Sequence, residues 1–244
     1  MTDVDQIENS VISGERTLAS LVTELPGAAR VFDRWGLDYC CEGKRSLAVA
    51  ANALGVDSGS VIADLEALGA DKPADWAGMG PAEMTEHIVS THHALLWEEL
   101  PRMHALAMKV NSVHGGRHPE LGEVLTLVEM MRSELEPHMA REESVLFPAI
   151  RELAESTSVP SFPFGTVTNP ISVLMQEHDN QGRVMDRLIE VTDGYSVPAD
   201  GCASYAALYS GLRELDEDTR LHVHKENNLL FPAVQELESK LLPA

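Results

Sequence analysis

Residues 138–148 read HMAREESVLFP, and residues 222–232 read HVHKENNLLFP. Both stretches follow the pattern H-x-x-x-E-x-x-[VL]-L-F-P, and the second copy begins 84 residues after the first. Self-similarity at such a spacing indicates two related supersecondary units rather than a chance match. Because the flanking residues have helical periodicity, the repeat predicts two related helical hairpins.

The spacing inside each copy has a chemical meaning. Residues four apart lie on one face of a helix, with their β-carbons about 5–6 Å apart. An imidazole and a carboxylate placed in this way reach one metal ion, or the carboxylate bridges two. One isolated pair would be an ordinary surface pair, but two copies with matched flanks favour a metal site in a helical bundle. The repeat therefore predicts His138, Glu142, His222 and Glu226 as ligands.

Each repeat is expected to need a further ligand from the first helix of its own hairpin. His178 lies 44 residues before the second repeat, and His93 lies 45 residues before the first. This near equality favours His93 over His87 and His92, although a replacement by either neighbour stays open. The predicted ligand set comprises His93, His138, Glu142, His178, His222 and Glu226.

The ligand types bear on the metal. Imidazoles and carboxylates without a thiolate suit iron, manganese or zinc, whereas structural zinc sites favour thiolate-rich tetrahedral shells. Two carboxylates leave a pair of divalent ions with a net positive charge, which an oxo or hydroxo bridge would reduce. Two bridging carboxylates and four nitrogens also leave coordination positions for a small external ligand.

The segments around the repeat are helical in pattern, and no convincing strand alternation is present. Proline- and glycine-rich stretches at 71–81 and 156–170 indicate linkers or long loops. We predict an all-α chain with a small helical domain at 15–72 and an antiparallel four-helix bundle at 80–243. The four long helices are expected at Ala82–Val113, Glu120–Leu153, Ile171–Val191 and Ala203–Leu242.

Charge and composition exclude several classes of function. The chain has 244 residues, with 39 acidic and 18 basic side chains and a formal net charge of −21. This charge disfavours nucleic acid and anionic membrane surfaces as partners. No apolar run approaches the roughly 20 residues of a membrane span. Three cysteines are too few for a disulfide scaffold, and no secretory pattern is evident, so we expect a reducing cytoplasm.

At the repeat, the sequence resembles the repair-of-iron-centres (RIC) proteins of the YtfE/ScdA type. The resemblance covers nearly the whole chain and includes residues 38–44, DYCCEGK, which look like the small Cys-Cys domain of that family. It implies a hemerythrin-like four-helix bundle with two non-haem iron ions. By this resemblance the four histidines would be terminal ligands, and Glu142 and Glu226 would bridge the irons.

The resemblance also implies a function. Members of this family protect or repair iron–sulfur clusters after nitrosative or oxidative damage, by iron donation or by nitric oxide reductase activity. The implied partners are damaged iron–sulfur proteins, nitric oxide or oxygen as a small ligand, and an unidentified electron donor. A hemerythrin-like protein that binds or senses oxygen or nitric oxide is the alternative. The sequence leaves open whether the chain is a monomer or a homodimer.

Four further residues are candidates for a role. Glu134 and Glu177 are expected either to relay protons or iron, as the resemblance implies, or to lie on a solvated helix face. Cys40 and Cys41 suit redox chemistry, transient metal transfer or an intermolecular bridge, because adjacent cysteines seldom form a relaxed mutual disulfide. The alternative for these two thiols is ordinary burial.

Overall fold

A computed structural model describes residues 12–25, 27–68 and 75–242. Helices dominate these ranges, and none of the residues in them belongs to a β-strand, which confirms the all-α prediction. The chain divides into two compact units, Met1–Ala77 and Gly78–Ala244. The predicted domains, 15–72 and 80–243, fall inside these units, although residues 72 and 243 lie outside the described residues.

The described part of the first unit contains four short α-helices. Three of them begin at side-chain caps, in which Thr17, Ser46 and Asp57 each accept a hydrogen bond from the backbone three residues on. The second helix ends at Gly36, whose φ of 68° is the left-handed conformation that glycine adopts without strain. The helices are α1 (Leu18–Glu24), α2 (Ala28–Trp35), α3 (Leu47–Ala53) and α4 (Ser58–Glu66).

The second unit is a bundle of four long helices, three of which contain one π-helical turn. The predicted linker at 71–81 is described only from Asp75, where a 3-10 turn spans Asp75–Gly78. The α-helical segments are α5 (Pro81–Ile88), α6 (Ala94–His114), α7 (Glu120–Arg141), α8 (Phe147–Glu155), α9 (Thr168–Val191), α10 (Ala203–Lys225) and α11 (Phe231–Leu241). The π turns are Val89–His93, Glu142–Leu146 and Glu226–Leu230.

The four long helices follow each other around the bundle. Helix α6 packs against α7 and α10, and α9 packs against the same two helices. Helix α5, at the start of the first long helix, packs against α8, at the end of the second, so this hairpin is antiparallel. Apolar residues such as Leu100, Met131 and Leu212 fill the space between the helices. Within the described ranges, no helix has the length and apolar character required to cross a membrane.

The repeated Phe-Pro pair explains where two of the π turns close. The N–H of Phe147 donates to the carbonyl of Glu142, and the N–H of Phe231 donates to that of Glu226, so each bond spans five residues. Proline follows at once in both copies. Because proline has no N–H to donate into the helix, the regular bonding pattern is already incomplete at this point. A wide turn is therefore accommodated there more easily than in an uninterrupted helix, and π turns are frequent at functional sites.

Candidate metal centre

Three π turns, helix α9 and the last turns of helices α7 and α10 bring the six predicted ligands into the middle of the bundle. His93 ends the first π turn, and Glu142 and Glu226 begin the other two. Each repeat histidine lies one turn before its glutamate, as the four-residue spacing requires. All six side chains are buried, at no more than 2% exposure: His93, His138, Glu142, His178, His222 and Glu226.

These residues form two overlapping groups of ligand atoms. Within each group, one atom from every side chain lies within 4.8 Å of the others. We call them the His93 position (His93, Glu142, His222, Glu226) and the His138 position (His138, Glu142, His178, Glu226). Because Glu142 and Glu226 belong to both groups, the geometry suits two metal ions joined by two carboxylates, each with two imidazoles of its own.

The pairing of the histidines differs from the expectation that each hairpin supplies its own set. The Nε2 atoms of His93 and His222 lie 3.3 Å apart, and those of His178 and His138 lie 3.2 Å apart. Each pair therefore joins one hairpin to the other. The order of the helices accounts for this, because α6 packs against α10 and α7 packs against α9. Each position is assembled from both hairpins.

Hydrogen bonds at the far side of three imidazoles select the tautomer that each ring adopts when it is neutral. A neutral imidazole has one N–H, so donation from Nδ1 leaves the Nε2 lone pair directed at the centre. Facing Nε2 lone pairs repel each other unless a cation lies between them. The bonds run from Nδ1 of His93 to Glu143 (3.0 Å), from Nδ1 of His138 to Glu177 (2.8 Å) and from Nδ1 of His178 to Asn227 (2.9 Å).

The environment of the two shared carboxylates also indicates a cation-binding site. Oxygens of Glu142 and Glu226 lie 3.1–3.4 Å from imidazole Nε2 atoms. None of their four oxygens, however, accepts a hydrogen bond from the described part of the chain, although both side chains are fully buried. Burying carboxylates without hydrogen bonds is costly unless they bind a metal or pair with a charge. Oxygen and imidazole donors without thiolate fit iron.

The charges at the centre perturb the titration of its members. Burial is the largest single influence on His138 and opposes a positive charge there, but the nearby carboxylates of Glu142, Glu177 and Glu226 together outweigh it and raise the pKa of His138 to about 10. Burial also opposes a charge on His93, and the surrounding carboxylates together raise its pKa as well. Burial likewise opposes charge on Glu226, yet His222 and His178 hold the pKa of that carboxyl well below its usual value. The pair of anionic carboxylates thus draws positive charge to the centre.

The phenylalanine of each repeat packs on a ligand. Phe147 stacks on the ring of His93, with centroids 5.6 Å apart and planes inclined by 16°. Phe231 stacks on His178 in the same way, at 6.0 Å and 1°. In each hairpin, the residue that closes the π turn therefore covers the histidine of the preceding long helix and screens it from water.

The two additional carboxylates differ in their relation to the centre. Glu177 accepts hydrogen bonds from His138 Nδ1 and from Arg141, so it contacts a predicted ligand directly. Glu134 instead accepts a hydrogen bond from the amide of Gln181, a buried residue next to helix α7 that sequence reasoning did not single out. A relay role for Glu134 and Glu177 stays a prediction.

His87 and His92, the open alternatives to His93, belong to neither ligand group. Both accept hydrogen bonds at Nε2 from the buried ammonium of Lys225, at 2.8 Å and 2.7 Å. The Nδ1 of His92 donates to Asp218 at 2.8 Å. Burial lowers the pKa of His92 to about 4 and that of Lys225 to about 8. The ring of His92 stacks flat on His222, with centroids 5.4 Å apart.

The two adjacent cysteines lie in the loop between α2 and α3 of the first unit. Their backbone N–H groups donate to one carboxylate oxygen of Asp38, at 3.1 Å and 2.9 Å, which closes a tight turn. Neither thiol forms a disulfide, and the sulfur atoms of Cys40 and Cys41 lie 3.7 Å apart. Cys40 is buried and Cys41 is half-buried. Asp38 and the two sulfurs form a third group of potential metal ligands.

Comparisons with known proteins agree with both units. The family model of the hemerythrin HHE cation-binding domain matches residues 84–234. The model of a domain of unknown function, DUF542 or ScdA_N, matches residues 14–69. A probable iron–sulfur cluster repair protein of Haemophilus influenzae is 34% identical over 90% of this chain and 96% of its own length. The iron–sulfur cluster repair proteins YtfE of an Enterobacter species and of Escherichia coli are also 34% identical, over 89% of this chain and 96% of theirs.

The matches cover the bundle with its six buried candidate ligands as well as the cysteine-containing unit. Identity at this level over almost the full length of both partners extends to the domain order and not only to the fold of one domain. The chain therefore belongs to the repair-of-iron-centres (RIC) family.

Proposed function

We propose that this protein repairs or protects iron–sulfur clusters under nitrosative or oxidative stress, by donating iron that its bundle holds. The two overlapping ligand groups that share Glu142 and Glu226 are the observation that carries this proposal. Support also comes from the relatives, which are named iron–sulfur cluster repair proteins. Those relatives match both units, so they do not favour the alternative of a simple oxygen or nitric oxide carrier.

Two non-haem iron ions are the proposed cofactor, with Glu142 and Glu226 bridging them and an oxo or hydroxo group completing the bridge. Each ion would have two imidazoles and two shared carboxylates from the protein. Iron commonly accepts more than four ligands, so positions stay open for exchange with water or with an acceptor protein. When bound, ferrous iron would supply the cluster component that damaged acceptors lack, and also electrons for small ligands.

The side chains of the protein have two tasks in this proposal. Glu143, Glu177 and Asn227 hold three imidazoles in the tautomer whose Nε2 binds metal. Phe147 and Phe231 cover two of those rings and limit the access of water. The thiols of Cys40 and Cys41, neither of which forms a disulfide, would receive or pass on iron. Reduced thiols and ferrous iron both require reducing surroundings, so we place the protein in the cytoplasm.

Nitric oxide reduction is a second candidate, because the shared carboxylates would hold two metal ions next to each other. Two nitric oxide molecules, two electrons and two protons give one nitrous oxide and one water. The two ferrous ions would supply the electrons, and an unidentified electron donor would restore them. Glu177, which is half-buried and contacts His138, is the proposed path for protons, with Glu134 as a further carboxylate on helix α7.

A transfer assay under anaerobic conditions tests the main proposal. The full chain is loaded with isotopically labelled ferrous iron and mixed with a dehydratase whose cubane cluster nitric oxide has damaged. We expect the label to enter the cluster and the dehydratase activity to recover. Nitrous oxide from the same protein, supplied with a reductant and nitric oxide, is measured in parallel. Repeated turnover to nitrous oxide without label transfer would assign the second candidate. If neither label transfer nor nitrous oxide is observed, both candidate functions are excluded.

Replacing both cysteines of the loop separates iron transfer from iron binding. We expect Cys40→Ser with Cys41→Ser to retain the iron content of the wild type, because all six proposed ligands belong to the bundle. Transfer to the damaged dehydratase should slow several-fold, since serine is a poor ligand for iron. Cys202→Ser, at an exposed thiol, is the matched control and should transfer iron normally. Unchanged transfer by the double variant would contradict a role for these thiols.

A further inference from the structure

We propose that the two metal positions are held unequally, and that the His93 position is the one from which iron leaves. This inference rests on the proposed iron donation and identifies the ion that takes part in it. It follows from a comparison of the two hairpins, whose repeats are equivalent in sequence but not in their surroundings.

One pair of orienting contacts is the same in both hairpins. The residue directly after the bridging glutamate is Glu143 in the first repeat and Asn227 in the second. Each accepts the Nδ1 hydrogen bond of the upstream histidine, His93 or His178, at 3.0 Å and 2.9 Å. By this contact, each position has one oriented imidazole.

The other pair of contacts differs. Glu177 directly precedes His178 and accepts the Nδ1 hydrogen bond of the repeat histidine, His138. The equivalent residue in the first hairpin is His92, which directly precedes His93. His92 stacks on the face of His222 instead, and its own nitrogens bond to other side chains. In consequence, the Nδ1 of His222 is buried without a hydrogen-bond partner in the ranges that the structure describes.

The difference affects metal affinity in a known direction. A partner at the outer nitrogen of a ligating histidine fixes its orientation and raises its basicity, and losing one such partner lowers metal affinity about 10–100-fold. The His138 position has a partner on both imidazoles, and one of these partners, Glu177, is itself held by Arg141. The His93 position has such a partner on one imidazole only.

A pocket also lies beside the His93 position. Its volume is about 280 Å³, and it is lined by Glu86, Val89, Glu143, Phe147 and Arg151. Glu143, the partner of His93, is thus part of the pocket wall, and Phe147, which covers the His93 ring, lines the same pocket. The partner side chains are exposed to a similar extent at the two positions, at 34% for Glu143 and 31% for Glu177. The pocket therefore gives an incoming chelating group access to the partner and the cover of His93, whereas the ring of His93 itself is buried.

Release of iron to a chelator tests the inference. The full chain, loaded anaerobically with ferrous iron, is mixed with excess ferrozine, and the coloured complex is followed over time. We expect two phases of equal amplitude, with rate constants about 10–100-fold apart. Glu177→Leu should accelerate the slow phase to near the fast one. The matched variant Glu143→Leu should accelerate the fast phase further and leave the slow phase unchanged.

A variant that adds the missing contact provides the decisive comparison. His92→Glu places a carboxylate at the position equivalent to Glu177, next to Lys225 as Glu177 lies next to Arg141. We expect it to slow the fast phase about tenfold or more. If His92→Glu does not fold, the comparison of Glu143→Leu with Glu177→Leu still shows whether each position has its own release rate. A single phase in the wild type, or an equal response of both phases to either variant, would overturn the inference.

The outcome is independent of whether iron donation is correct. Two phases with no label transfer to the damaged dehydratase would retain the unequal positions and exclude the proposed donation. Label transfer with a single release phase would retain the donation and exclude the unequal positions. A direct check is the Mössbauer spectrum of protein quenched after the fast phase, in which we expect the signal of one remaining iron site rather than a scaled copy of the original spectrum.

Discussion

Replacing Glu226 with leucine is expected to abolish the stability that iron confers on the bundle, while the metal-free protein stays as stable as the wild type or becomes more stable. A ligand present at a thousandfold excess over its dissociation constant stabilises the folded state by about 4 kcal/mol. The variant should lose this increment because Glu226 belongs to both metal positions. Its iron content should fall from two ions per chain to less than one.

The metal-free protein should respond differently because of the surroundings of Glu226. Its two oxygens accept no hydrogen bond from the described residues, and its side chain is fully buried. Burying a carboxylate without a hydrogen bond is costly, and leucine avoids both this cost and the repulsion between the carboxylates of Glu226 and Glu142. Metal loading and metal-free stability therefore change in opposite directions.

Urea unfolding under anaerobic conditions, with and without ferrous iron, measures the free energy of unfolding of the iron-loaded and the metal-free protein. Glu238→Leu is the matched control, since Glu238 is a buried carboxylate of the same bundle that lies outside the ligand groups. Glu238 accepts a hydrogen bond from the backbone N–H of Val167 at 2.9 Å, so its loss should destabilise both forms equally. Retention of two iron ions by Glu226→Leu would show that this residue is not a ligand.

The affinity for ferrous iron should rise steeply with pH. A metal binds the neutral imidazole, but the pKa of His138 is raised to about 10, so in the metal-free protein this ring holds a proton at pH 7. Binding displaces that proton, and each displaced proton makes the apparent affinity rise about tenfold per pH unit. The pKa of His93 is raised as well, so the total rise between pH 6.5 and 7.5 should be about 10- to 100-fold.

Chelator competition at several pH values, together with calorimetry in two buffers of different ionisation enthalpy, counts the released protons. Glu142→Gln removes the charge that raises the pKa of His138, so its remaining iron affinity should depend less on pH. In the metal-free wild type, the raised pKa adds stability that is complete below about pH 6.5 and is lost as the pH rises through about 10. An iron affinity that does not change with pH would contradict proton displacement at the centre.

Much of this centre could be predicted because helical periodicity is strict. The four-residue spacing fixes the relation of His138 to Glu142 within one helix, and the repeat doubles the information. The nearly equal distances, 44 and 45 residues, indicated His178 and His93 as the upstream candidates without knowledge of the loops. Each of these predictions depends either on the geometry of a single helix or on the similarity of the two hairpins. Both can be read directly from the sequence.

The contacts between hairpins could not be predicted in this way. Spacing along the chain does not show which helices become neighbours, so the pairing of His93 with His222 appears only in the structure. The partners Glu143 and Asn227 follow the bridging glutamates directly, so the repeat contained a signal for them. That signal was missed because a regular α-helix would turn the next residue about 100° away from the ligand.

The π turns let one helix hold an imidazole of another helix at two points. Residues five apart lie about 140° from each other around a regular α-helix, so Glu142 and Phe147 would face different neighbours. The wide turn brings them to the same side, where Glu142 contacts the edge of His93 and Phe147 covers its face. Glu226 and Phe231 contact the edge and the face of His178 in the same way. The backbone conformation thus determines the contacts with the rings of His93 and His178. These contacts would persist whether or not iron is bound.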